Sequence, residues 1–201
     1  MTSQQPPASP RTKPADVRRD ELMDAAQALF LEKGIAGTIV DDIVGRAGAS
    51  KGTFYHYFKA KPDIVVAIRE RFSRDFRERA QAAVDAVDQD DWSGKIAAWT
   101  RSTVNGYLSE YQLHDILYHG DAGHGRGNAE LNAVFDQIET VISAGRAANA
   151  WSVDNPRLTA VILFYAMHGV VDDVIASGLH DAATATDQLV AIFNRMLALP
   201  R

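Results

Sequence analysis

Apolar positions recur at spacings of three and four along the first third of the chain, the pattern of helices that bury one face. Leu22, Ala25, Ala26, Leu29 and Phe30 share one such face, and Gly34 follows as a C-terminal stop. Val40, Ile43, Val44 and Ala47 repeat the spacing in a second, shorter helix, after which Gly48 supplies the backbone freedom of a tight turn. Ser50 suits the N-cap of a third helix running to about Phe58, and Pro62 suits the first turn of a fourth. Beyond Pro62 the pattern stays helical, over roughly 62–86, 92–110, 112–119, 128–149, 155–177 and 184–198, with no persuasive strand. The expectation is an all-α chain of about nine helices.

Residues 1–14 hold four of the seven prolines and almost nothing to bury, and read as a disordered tail. Residues 15–61 then form a three-helix unit, and 62–201 a larger helical one. Two short helices joined by Ala47-Gly48-Ala49, the second serine-capped and rich in aromatic and basic residues, make a helix-turn-helix pattern. At about 100° per residue, Phe54 and Phe58 mark the buried direction of the third helix and His56 falls opposite them. Gly52, Thr53 and Lys59 join His56 there, while Tyr55 and Tyr57 flank the core. Gly52 costs helix propensity at a place where a missing side chain lets another backbone approach closely.

Charge sharpens this picture. Residues 1–80 carry +3 and residues 81–201 carry −8, within a total of −5. Between Ile43 and Pro62 there is no acid, yet Arg46, Lys51, Lys59 and Lys61 are present, a local surface suited to an anion. Tyrosine and threonine hydroxyls, imidazole nitrogens and a helix N-terminus meet phosphate oxygens, with Lys51 and Lys61 adding counterion-releasing charge. Lys51, Thr53 and His56 are the candidates to reach base edges.

The run Asp24-Ala25-Ala26, Leu29-Phe30, Gly34, Thr38, Val40, Ile43, Ala47-Gly48, Ser50-Lys51-Gly52-Thr53-Phe54-Tyr55, Tyr57-Phe58 and Lys61 resembles the amino-terminal signature of the tetracycline-repressor (TetR) family of transcriptional regulators. The match covers about 45 residues without a gap. The resemblance implies an all-helical homodimer with three DNA-binding helices and a carboxy-terminal domain that dimerises and binds a small-molecule inducer. It also implies DNA contacts at Thr38, Lys51, Gly52, Thr53, Tyr55, His56, Tyr57 and Lys61. Two departures stand out. Ile39 occupies the position that often holds a capping Ser or Thr, leaving Thr38 to take its place, and Gly45 costs the second helix about 1 kcal/mol relative to alanine.

The second unit offers weaker signals. Trp99, Thr103, Tyr107, Tyr118, Phe135 and His168 are candidates to line an effector pocket, because aromatic walls with a few polar groups suit apolar ligands. Leu158–Ile175 is apolar over much of its circumference, and the last helix carries an apolar stripe, as expected of a two-fold interface through the final two helices. His114, Asp115, His119, Asp121 and His124 cluster, but without paired spacing on one helix, so no metal site is expected. His168 and Asp172, one turn apart, resemble half of an acid–base pair, yet no catalytic signature accompanies them, and neither an enzyme nor a cofactor is expected.

The absence of cysteine excludes disulfide scaffolds and thiol chemistry and suits a reducing cytoplasm. The longest unbroken apolar run, Ala160–Met167, is shorter than the roughly 20 residues a membrane span takes, and no membrane association is expected. The leading expectation is a DNA-binding regulator, more often a repressor, freed from a palindromic double-stranded operator by a small-molecule inducer. The alternative is a helical binding or enzymatic module that keeps the helix-turn-helix only as a scaffold.

Overall fold

The structure, a computed structural model, describes residues 15–118, 129–178 and 181–198. The tail at 1–14 and the stretch holding His119, Asp121 and His124 lie outside the described residues. Eight helices and no strand occur among the described residues: α1 Ala15–Lys33, α2 Val40–Arg46, α3 Lys51–Tyr57, α4 Lys61–Asp85, α5 Trp92–Tyr118, α6 Ala129–Ala147, α7 Pro156–Ala176 and α8 Ala182–Leu197. The fold is all-α. The ninth expected helix is absorbed by α5, which bends at Glu110 (φ −127°, ψ 17°) instead of stopping. No glycine or proline stands between Ser109 and Leu113 to end the helix, and the Glu110 carboxylate is gripped by Arg79 of α4 at 2.8 and 3.3 Å.

The chain divides into two compact units, residues 1–68 and 69–201. The division falls about two turns inside α4, later than the sequence boundary at 61/62, and Ile64, Val65 and Ile68 in those turns are buried. That core consists of Leu22, Ala26 and Phe30 from α1, Ile43 from α2, and Phe54 and Phe58 from α3 and its C-terminus. Arg46 clamps Glu32 through two bonds, and Lys33 reaches Asp42 at 2.6 Å, so α1 and α2 are tied at their surface as well as their core. These arginine and lysine partners hold the Glu32 and Asp42 carboxyls below their ordinary pKa range.

In the second unit α7 packs against α5, α6 and α8. Trp99, Tyr107, Ile138, Leu163, Met167 and Phe193 form the largest part of its core. α7 begins at an Asn155 cap, whose side chain accepts from Leu158 N at 2.9 Å, with Pro156 at its first position. Trp151 donates to Ile142 O at 2.8 Å and lies on Gly145, where a Cβ would collide with the indole. By length and composition α7 could cross a membrane, with a mean hydropathy of 1.6 over its most apolar window. Its Ala160, Leu163, Met167, Val171 and Val174 are nevertheless buried within the helical unit. Leu158, Ile162 and Tyr165 stay about half exposed along another face, as does Ile192 of α8.

Candidate nucleic-acid interface and effector cavity

α3 owes its position to its caps and to one buried ring. The Ser50 side chain accepts from Thr53 N at 3.0 Å, which satisfies a donor that the first turn leaves open. Gly48, at φ +58°, turns the chain between α2 and α3 in the left-handed region. Phe54 has no exposed surface and pins the helix to the head, with Phe58 beside it at 5.6 Å between ring centroids. The opposite face is open: Lys51, Gly52, Tyr55 and His56 are exposed, and Thr53 and Tyr57 are half-buried. The orientation is the one expected from residue angles alone.

Gly52 has no internal reason to be glycine. A Cβ built there would meet only Ser50 Oγ at 3.6 Å, an ordinary contact. The vacancy therefore faces outward, on the side from which a partner would come.

Thr38 and Lys61 differ from expectation. The Thr38 side chain is fully buried and its hydroxyl donates to Gly34 O at 2.8 Å, so it is spent on closing α1 and offers nothing to phosphate. Lys61 Nζ donates to Ile35 O and Thr38 O, both at 2.7 Å, which commits two of its three N–H groups to the α1–α2 loop. Both residues brace the motif from behind. α2 starts without a side-chain cap at Ile39, and Asp42 supplies the missing half by accepting from Ile39 N at 3.0 Å. The sequence reading also missed a partner for Lys51. Asp41, just outside the acid-free stretch, pairs with it at 2.7 Å, and this bond raises the lysine pKa above its ordinary value.

The second unit contains a cavity of about 340 Å³, at the lower end of the range for small-molecule sites. Of the six expected lining residues, Tyr107, Tyr118 and His168 are there. Trp99, Thr103 and Phe135 are not on its wall. Trp99 and Thr103 are buried on the core side of α5, the threonine hydroxyl donating to Trp99 O at 2.9 Å, and Phe135 packs edge-on to Phe164 at 5.2 Å. In their place α4 contributes Phe72, Ser73 and Phe76, spaced as one helix face, and α7 adds Phe164, Tyr165 and Asp172. His114 belongs to this wall too, its ring 4.4 Å from Tyr107 and 5.7 Å from His168. Among the described residues no group of three or more histidines and carboxylates converges as metal ligands.

The Tyr107 hydroxyl donates to Asp172 Oδ1 at 2.7 Å, and that of Tyr118 bonds Glu130 at 3.2 Å. Burial raises both phenol pKa values, and the neighbouring carboxylates raise them further. Unfolding restores ordinary acidity near pH 10, so above that pH the unfolded chain sheds protons that the folded chain keeps, and stability falls as pH rises. In an alkaline absorbance titration, Tyr107 and Tyr118 are expected to remain un-ionised until the fold opens. Ionisation of all six tyrosines in one step near pH 10, with the fold intact, would contradict this wall.

The fold and the α3 face together define a class: a helix-turn-helix head and an all-helical second unit that contains a cavity. Residues 22–68 match the family described as bacterial regulatory proteins, tetR family, over a stretch that includes α2 and α3. Among curated relatives, the HTH-type transcriptional repressor KstR2 of Rhodococcus jostii (strain RHA1) is 36% identical over 85 residues, covering 40% of this chain and 42% of the repressor. The match thus spans less than half of that relative. A TetR-family transcriptional regulator from Pectobacterium atrosepticum superposes with a TM-score of 0.66 at 24% identity, over 95% of this chain and all of the other. FadR from Bacillus subtilis, a transcriptional regulator solved in complex with stearoyl-CoA, gives a TM-score of 0.72 at 18% identity, covering 87% of this chain and 96% of that one. These two likenesses concern the fold.

Proposed function

We propose that the protein is a cytoplasmic DNA-binding transcriptional regulator, a repressor that leaves a palindromic operator when a small molecule fills the cavity of its second unit. The observation that carries this reading is the open face of α3, where Lys51, Gly52, Tyr55 and His56 are exposed on a helix anchored by Phe54. Such a ridge fits a major groove, with the Ser50-capped N-terminus and the Tyr55 and Tyr57 hydroxyls positioned for phosphates and Lys51, Thr53 and His56 for base edges. Lys61 adds charge from behind the motif, and Thr38 holds the loop that Lys61 grips.

A homodimer is part of the proposal. The exposed Leu158, Ile162 and Tyr165 of α7 and Ile192 of α8 suit a two-fold helical interface through the last two helices. Two-fold symmetry then calls for half-sites about one DNA turn apart, near 34–36 Å. Helix α4 supports a route for release, because it carries Lys61 and Ile64 in the head and Phe72, Ser73 and Phe76 at the cavity. A ligand favouring one position of α4 would favour one spacing of the heads. The reading calls for no catalysis and no cofactor.

The test is binding of a duplex selected by the full chain from a random pool. Affinity should fall steeply with salt, and Lys51→Ala should weaken binding of the selected duplex by about 1–3 kcal/mol and relax specificity at one base position. Lys61→Ala is the poorer probe, since it also strips two loop carbonyls of their donor. A pool that yields no enriched duplex, or an affinity flat in salt, would sink the reading in favour of a ligand-binding module that keeps the motif as scaffold.

A further inference from the structure

We propose that the cavity of the second unit selects a small molecule carrying an aromatic ring over a saturated one of equal carbon count. The inference rests on reading that cavity as the effector site and deepens it by naming the ligand class. Its wall is built chiefly of rings: α4 contributes Phe72 and Phe76, α5 contributes Tyr107, and α7 contributes Phe164 and Tyr165. Leu131 and Val134 are its only aliphatic side chains among the described residues. The rest of the unit's core is mostly aliphatic, with Ile138, Val141, Ile142, Leu163 and Met167 among its members. Filling space does not by itself account for a wall so different from the packing around it.

The rings do not lie flat against one another. Phe164 and Tyr165 meet nearly edge-on at 5.5 Å, and Tyr107 leans on His168 at 4.8 Å with 41° between the planes. Phe72 stands 6.0 Å from Tyr118 at 62°. With planes tilted in this way the wall offers both faces and edges, the two poles of the aromatic quadrupole. A ligand ring among them finds edge-to-face or offset partners on more than one side, whereas a saturated ring of the same size gains burial alone. The space is sufficient: a dry void of about 150 Å³ holds benzene, and about 340 Å³ leaves room for a ring with a short chain. The preference needs no particular charge on the carboxylates or imidazoles of the wall.

Isothermal titration of the full chain with phenylpropanol, cyclohexylpropanol and nonanol compares three nine-carbon alcohols with the same headgroup. Hydrophobicity alone favours the two saturated compounds, because a phenyl ring leaves water less readily than a cyclohexyl ring or an alkyl chain. The aromatic wall reverses that order: phenylpropanol should bind about threefold tighter than either. Phe72→Leu together with Phe164→Leu keeps apolar bulk while removing two rings, and should bring the ratio of phenyl to cyclohexyl affinity to unity or below. That ratio is the readout, since a substitution that only loosens packing lowers both affinities alike. The proposal is overturned by a saturated alcohol that binds as well as phenylpropanol, by a ratio that the two substitutions leave intact, or by no binding of any of the three at millimolar concentration. Release of the selected duplex, followed in the same samples, separates this outcome from the effector reading. A saturated alcohol that binds best and releases the duplex overturns the ring preference and upholds the effector site. Phenylpropanol that binds with the expected preference and leaves duplex affinity unaltered upholds the ring preference and ends the effector role.

Discussion

Phe54→Ala is expected to abolish binding of the selected duplex while leaving the ligand response of the second unit measurable. The ring has no exposed surface, packs tilted against Phe58 and meets Tyr55 edge-on at 5.4 Å, so truncation opens a cavity under the helix that would enter the groove. Such a loss costs about 3–5 kcal/mol in a well-packed core. A head of this size has little stability to spare, so a cost of that order unfolds much of it. Gel-shift titration and a circular-dichroism melt would show the effect together: no shifted band, and a helical transition moved to lower temperature. Duplex affinity within twofold of the parent would mean that α3 does not depend on this ring for its position.

Gly52→Ala should produce changes of opposite sign in two assays. Alanine at a helix position gains about 1 kcal/mol over glycine in propensity, and the structure leaves room for the methyl, with Ser50 Oγ at 3.6 Å as its nearest neighbour. The melting temperature of the free protein should therefore rise. On duplex the same methyl would stand between backbone and groove, and a loss of about 1–3 kcal/mol corresponds to roughly fivefold to 150-fold weaker binding. Few substitutions separate stability from recognition so cleanly. Unchanged duplex affinity in a stabilised variant would show that nothing approaches α3 at this point, and the proposed interface would have to move.

What the sequence revealed follows from which interactions are local. Ser50, Phe54 and Phe58 lie on one short helix, so residue spacing alone placed the cap, the buried face and, by opposition, His56. Thr38 and Lys61 were misplaced because their partners are distant or hidden in the backbone. The carbonyl of Ile35 lies 26 positions from Lys61, and no side-chain pattern advertises a carbonyl. The cavity was half legible for the same reason. Tyr107, Tyr118 and His168 were found as polar aromatics, but the face of α4 bearing Phe72, Ser73 and Phe76 looked like ordinary core spacing. Trp99 and Phe135 show the converse: a large ring on a helix is buried more often than it lines a void, and here both are buried. One signal for Asp172 was present, its position one turn after His168; in the structure its Oδ1 accepts from the Tyr107 hydroxyl.

The ion pair between Asp41 and Lys51 has a bearing on how such a head would find its place on a chromosome. A lysine already neutralised by its own protein has fewer condensed counterions to displace, so arbitrary stretches of duplex gain less from it. Only a site that seats α3 fully puts a phosphate or base edge close enough to outbid the aspartate. On the proposed reading, the carboxylate would compete with phosphate for Lys51 and shorten dwell times on random DNA.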